Sequence, residues 1–285
     1  MGVRARSPVV MFMINVLVGL FSAVMAGAAA WQPLAPGMDL KVLVVNAPGS
    51  VAESRITVVR IDPDLWELEF VGISRTGDAV GQTAREWCRK HQLTAAINAG
   101  MFATDFKTHI GYLRFQDQVH SGHVNDYQSV AAFDPKDDKK LPRFRIFDLD
   151  SLGVGMQAIL DDYASVVQNL RLIKRPGTNR WGQQPKKWSE AALGEDSAGR
   201  ILFIFSRSPF SMHDLNKELL ASGIGIVAAQ HLEGGPEAQL YLHVGEVELE
   251  MFGSYETSFK EDDGNVVAWP VPNVLGIRPR SSGGN

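Results

Sequence analysis

One cysteine, Cys88, stands in a chain of 285 residues. That excludes an intrachain disulfide and any zinc or iron–sulfur site built from several thiolates. Cys88 itself reads as a small buried hydrophobe. Long basic runs are also missing and the net charge is −4, so nucleic acid is not expected as a partner. No period recurs along the chain as it does in repeat folds. There is no nucleophile elbow, phosphate loop or dinucleotide fingerprint, and no cofactor is expected. What remains is an ordinary globular composition, 45% apolar and 21% charged.

The one long apolar run lies at the start. Arg4 and Arg6 precede an uncharged stretch from Val9 to Ala30, which ends in the small residues Ala26-Gly27-Ala28-Ala29-Ala30. This is the layout of a secretory signal cleaved before Trp31. The run is longer than most such cores, so an uncleaved membrane anchor stands as the alternative. Residues 1–30 are therefore read as an address, residues 31–278 as one domain and 279–285 as a loose tail. The domain is expected to be secreted or periplasmic, touching a membrane only through an uncleaved leader.

Short β-branched stretches dominate that domain. Residues 55–61 and 66–71 flank Asp62-Pro63-Asp64 and are expected to form a hairpin. Thr83 and Glu86 form a capping box for a helix. Residues 94–97 form a short buried strand ending at Asn98. A helix is expected over 153–164, with Met156, Ile159, Leu160 and Tyr163 on one face. Strand character follows at 166–167 and 170–173, and 177–189 reads as a polar loop. Residues 201–205 and 224–232 are continuous apolar strands, with a helix capped by Ser211 between them. That strand–helix–strand passage points to parallel pairing. Residues 239–242 and 246–251 form a hairpin around Gly245. The expected class is α+β: a mixed, strand-rich sheet with a few flanking helices.

Three places break the pattern of apolar strand followed by solvated turn. In Asn98-Ala99-Gly100-Met101-Phe102 a buried strand delivers an amide, which can donate and accept toward a sugar hydroxyl or phosphate oxygen. It could equally cap its own turn. In His231-Leu232-Glu233-Gly234-Gly235-Pro236 a carboxyl leaves a buried strand just before two glycines. Partial desolvation would raise its pKa toward general-acid use, and Gly234 and Gly235 would let a ligand approach the backbone. His231, two residues earlier, shares its side of the strand. Alternatively Glu233 is a surface turn residue. Ser206-Arg207-Ser208-Pro209 could cradle an anion ahead of a helix, or Arg207 could be an exposed loop residue. His120 and His123 have metal-compatible spacing, but no carboxylate pattern completes it, and no metal site is expected.

At these same points the sequence resembles the phosphodiester glycosidase family. Asn98-Ala99-Gly100-Met101-Phe102 answers a family element of the form Asn-Gly-Gly-Phe-Phe. Leu232-Glu233-Gly234-Gly235-Pro236-Glu237 answers Leu-Asp-Gly-Gly-Gly-Ser, with glutamate in place of aspartate. Val167-Gln168-Asn169-Leu170-Arg171-Leu172 matches a middle element loosely. Glu190-Ala191-Ala192-Leu193-Gly194 lies where some members carry an arginine, and here that arginine is missing.

The resemblance implies a hydrolase that releases a sugar from a sugar-1-phosphodiester. Glu233 would act at the anomeric centre, and His231 would orient it or donate to the leaving oxygen. Asn98 and Gln239 would hold hydroxyls, with Gly100, Met101, Phe102, Gln168, Ser206, Gly234 and Gly235 around them. Arg171 and Arg207 would hold the phosphate, and Asp105 or Glu237 would be the second carboxylate. The rival reading is a non-catalytic module that binds a cell-surface glycan or polymer. A metal-dependent hydrolase using His109, His120 or His123 is a third.

Overall fold

Residues 30–45, 54–136 and 140–281 are described by the computed structural model, and their strands gather into two sheets. The larger has twelve strands and the smaller five. Across the larger sheet, Arg55–Ile61, Ile201–Phe210, Trp188–Asp196, Ile226–Gly234 and Tyr163–Lys174 lie side by side in that order. The smaller runs Val247–Phe252, Gln239–Val244, Ala95–Asn98, Asn273–Pro279, Trp66–Gly72. The expected leader and the end of the expected tail, residues 1–29 and 282–285, lie outside the described residues.

Each strand sends alternate side chains to opposite faces, and the inner faces of the two sheets meet in one core. Phe203, Phe205 and Leu232 of the larger sheet join Phe70, Ile97, Leu240 and Leu275 of the smaller. The outer face of the larger sheet is covered by the helix Met212–Ala221, whose Met212, Leu215 and Leu219 pack on Leu172, Ile204 and Ala229. The outer face of the smaller sheet takes the helix Ala84–His91 through Ala84, Trp87 and Cys88. Each such large side chain is worth roughly 1.5–3 kcal/mol when fully buried. The layers are thus helix, sheet, sheet, helix, and the α+β class holds.

Local chemistry explains where the helices begin. Thr83 Oγ1 accepts from the Glu86 amide at 3.2 Å, while Glu86 Oε2 accepts from the Thr83 amide at 2.9 Å. Ser211 Oγ accepts from the Asp214 amide at 3.1 Å. Cys88 is buried, and burial pushes its thiol pKa up.

Four expectations fail for physical reasons. The strands Arg55–Ile61 and Trp66–Gly72 are not a hairpin, because each belongs to a different sheet. Arg55–Ile61 lies between two strands of the larger sheet, Trp66–Gly72 forms an edge of the smaller, and the Asp62 turn carries the chain from one sheet to the other. The strands Ile201–Phe210 and Ile226–Gly234 do not pair in parallel. Trp188–Asp196 lies between them and pairs with both, and every strand pairing among the described residues is antiparallel.

The polar loop expected over 177–189 passes at Trp188 into that central strand, which is buried on both faces and so shows no alternation. The helix expected over 153–164 is shorter, Met156–Asp162, because Tyr163 opens a continuous strand to Lys174.

Candidate active site

The strand Ile226–Gly234 is apolar until it reaches the edge of the core. There its pairing slips: Ala191 faces Glu233 and Ala192 faces His231, which leaves Leu232 as an extra residue. Leu232 turns into the core between the sheets, while His231 and Glu233 line a cavity of about 440 Å³. The loop after Ala95–Asn98 supplies Met101, Phe102, Ala103, Thr104 and Phe106 to its wall. Leu170 and Trp188 come from the neighbouring strands, and Met212 from the first turn of the helix it opens. Glu237 follows the strand on the short turn Gly235–Glu237, and Glu256 reaches in from the connection beyond Phe252.

Carboxyl groups surround a single imidazole here. Glu190 is buried and binds two partners: its Oε1 lies 2.6 Å from His231 Nδ1, and its Oε2 accepts from Trp188 Nε1 at 2.6 Å. The Trp188 and His231 rings meet edge to face at 6.0 Å. This fixes the imidazole orientation and leaves Nε2 without a partner among the described residues. Burial pulls the His231 imidazolium pKa down, but the Glu190 carboxylate outweighs it and the net shift is upward.

Glu233 accepts only the Gly234 amide, at 3.0 Å. Burial, reinforced by the charges of Glu237 and Glu190 and opposed by His231, pushes its carboxyl up to about 8. Burial raises Glu237 and Glu256 as well. Glu233 is therefore held as a proton donor near neutral pH, with further carboxyls beside it. No lysine or arginine among the described residues lines the cavity.

Residues 91–278 match the sequence pattern of the phosphodiester glycosidase family. The chain belongs to that family. Its fold is shared with the zebrafish N-acetylglucosamine-1-phosphodiester α-N-acetylglucosaminidase catalytic domain, auto-inhibited by its pro-peptide. That match has a TM-score of 0.60 at 13% identity and covers 89% of this chain and 87% of that one. A hypothetical protein from Synechocystis matches with a TM-score of 0.57 at 14% identity, over 90% of this chain and 64% of its own. No curated protein matches the sequence.

Of the residues singled out in the sequence, Met101, Phe102, His231, Glu233 and Gly234 line the cavity, as does Glu237. The others are turned elsewhere. Asn98 is consumed as a brace: its Nδ2 donates to Glu237 O at 2.9 Å and its Oδ1 accepts from the Gln239 amide at 2.7 Å. Gln239 accepts from the Ala84 amide at 2.9 Å and donates to Trp269 O. Gln168 accepts from the Tyr112 amide at 3.2 Å and donates to Tyr127 O at 2.7 Å. Ser206 donates to Ser208 O and Arg55 O at 2.9 and 3.2 Å.

The expected anion cradle does not assemble. Arg171 is paired with Asp150 at 2.7 Å and Asp148 at 3.4 Å. Arg207 donates to Asp263 Oδ1 at 2.6 Å, Asn265 O at 2.7 Å and Phe252 O at 3.0 Å.

Gly100 and Gly235 serve packing rather than ligand approach. A Cβ on Gly100 would meet Asn169 Oδ1 at 2.1 Å, and one on Gly235 would meet Glu256 Oε2 at 2.7 Å. Asp105 spends its carboxylate on its own loop, accepting from the Lys107 and Thr108 amides at 2.9 Å. His109, His120 and His123 do not line the cavity. His109 is buried with Nε2 3.0 Å from Gln168 O, and burial pulls its pKa down to about 4. His120 packs on Phe70 at 4.9 Å, and His123 is exposed.

Sequence reasoning missed Trp188, Glu190 and Glu256. Glu190 had one visible signal, a carboxylate at the head of the small apolar run Ala191-Ala192-Leu193-Gly194. A charge entering a buried strand needs a partner, and His231 supplies it. Glu256 lies in a polar stretch with no such contrast.

Proposed function

We propose that the chain is a hydrolase that cleaves a bond at the anomeric carbon of a sugar bound in this cavity. Glu233 carries the reading: a carboxyl kept protonated to about pH 8, open to the cavity and flanked by Glu237 and Glu256. In this scheme the Glu233 proton passes to the leaving oxygen as the C1–O bond breaks. A neighbouring carboxylate, Glu237 or Glu256, then meets the positive charge that develops at C1 or activates the incoming water. His231, locked by Glu190, positions that exchange. The family supports a sugar-1-phosphodiester as substrate. An extracytoplasmic setting, read from residues 1–30, belongs to the same proposal.

A specific feature favours a second reading of the leaving group. Phosphate is weakly basic and departs with little acid help, yet Glu233 is held as an acid. Among the described residues, no lysine or arginine lines the cavity to meet a phosphate. Both features suit a simple glycoside, whose alcohol needs a proton to leave.

The test incubates wild type and Glu233→Gln with sugar-1-phosphodiesters and matching simple glycosides. Sugar released by the wild type and not by the variant supports the hydrolase, and the substrate set that reacts chooses the leaving group. Saturable glycan binding by both proteins with no turnover in either would instead make the fold a binding module.

A further inference from the structure

A second cavity of about 470 Å³ adjoins the first, and Phe106 and Glu237 belong to the walls of both. Its other side is made by Val80, Lys107, Trp269 and Pro270, from three separate connections. Trp269 is only partly buried, with its indole Nε1 held by Asn265 Oδ1 at 3.2 Å and its ring 6.2 Å from that of Phe259.

Exposed apolar side chains concentrate on these connections. Phe106 is 61% exposed, Phe259 62% and Val80 71%. Soluble surfaces seldom gather such groups without a ligand to cover them. Phe106 adds strain: its φ of +56° is unfavourable for a bulky side chain. The conformation is imposed by its loop, where Ala103 and Phe106 are hydrogen-bonded at 2.9 Å and Asp105 ties Lys107 and Thr108. The loop thus spends backbone energy to hold an aromatic ring out into water, on the ridge between two cavities.

We propose that the second cavity is a subsite for the next sugar ring of the same substrate, so that the protein acts on a chain of at least two sugars. The proposal rests on reading the first cavity as the glycoside-cleaving site. Sugar rings present flat C–H faces that stack on aromatic rings while their rims seek hydrogen bonds. Trp269 offers the face, and Lys107 and Glu237 offer polar partners. Continuity through Phe106 and Glu237 makes one bound chain the natural occupant of both cavities.

The test uses full-length Glu233→Gln, which prevents turnover, and N-acetylglucosamine and glucose oligomers of increasing length as probes. Affinity is expected to rise about tenfold from one unit to two or three in at least one series. Adding Trp269→Ala should abolish that gain while single-unit affinity stays the same. Phe106→Ala, a change at an exposed side chain, should weaken the gain without threatening the fold. Affinity flat with length, no binding of either series, or a gain indifferent to Trp269 overturns the subsite. Cleavage of single-sugar substrates without a length gain would sink the subsite and spare the hydrolase. A Trp269-dependent gain in a protein that cleaves nothing would do the reverse.

Discussion

His231 Nδ1 lies 2.6 Å from Glu190 Oε1, and both side chains are buried. A buried charge needs its counterpart, so neither residue is independent of the other. Glu190 acts through the imidazole as a positioning residue. Glu190→Gln keeps the shape but removes the charge that raises the His231 pKa, and its amide NH2 donates where a carboxylate oxygen accepted, so one of the bonds to Trp188 and His231 is lost. The imidazole should titrate at lower pH and kcat should fall roughly 10²-fold, with KM little changed. Histidine titration by NMR, beside the pH–rate profile, checks this. An unmoved profile would leave Glu190 a merely structural residue.

Glu233 must carry its proton to act as an acid. Its carboxyl is raised to about 8, so the wild-type rate should hold through neutral pH and fall as pH climbs past that value. Glu233→Gln should cost roughly 10²–10⁴-fold in kcat while substrate affinity survives. A log rate that keeps rising above pH 8 would exclude a protonated Glu233 from the chemistry.

The same shift has a consequence for stability. A carboxyl raised from 4.5 to about 8 binds its proton more tightly in the folded protein than in the unfolded chain. Its contribution is whole below the unfolded value and is lost as pH rises through the folded one. Glutamine cannot ionise and escapes that loss. Wild type and Glu233→Gln should therefore unfold at similar temperatures near pH 4, and the variant should unfold higher at pH 8. Thermal unfolding at the two pH values decides, and an offset independent of pH would count against the raised pKa.

Glu233 stood out in the sequence because a carboxyl after a long apolar strand contradicts its surroundings. Thr83 and Ser211 were legible because capping is local chemistry, settled within a few residues. Asn98 and Arg207 drew attention as polar groups at the ends of apolar strands, and Gln168, Arg171 and Gln239 through the family resemblance. Their partners, however, are backbone groups or carboxylates distant in sequence, and only the fold brings those together. The strand Trp188–Asp196 was invisible because burial on both faces erases alternation and its buried Ser189, Glu190, Glu195 and Asp196 break the apolar run that marks the other central strands. Its insertion between two strands expected to pair is a topological fact with no local signature.

Gly235 tests whether the turn after Glu233 sets the carboxyl cluster. Its φ is +65°, and a Cβ there would stand 2.7 Å from Glu256 Oε2. Gly235→Ala should cost about 1–2 kcal/mol of backbone strain and push the Glu256 carboxylate aside. The expected result is a modest drop in unfolding temperature with a larger loss of activity. A loss of stability with kcat intact would remove Glu256 from the working site.

Arg207 offers the sharpest separation of bracing from binding. Its guanidinium spans Asp263, Asn265 O and Phe252 O, and so ties down the connection that carries Glu256 and Trp269. Arg207→Ala should loosen that segment: amide exchange over 253–270 should quicken, and KM should rise for every substrate by a similar factor. A phosphate-binding arginine makes a different mark, because its loss would penalise phosphodiesters and spare neutral glycosides. Comparing the KM ratio of the two substrate classes in wild type and variant decides. An unchanged ratio is the outcome these hydrogen bonds predict, since they commit the guanidinium to the connection and it does not line the cavity.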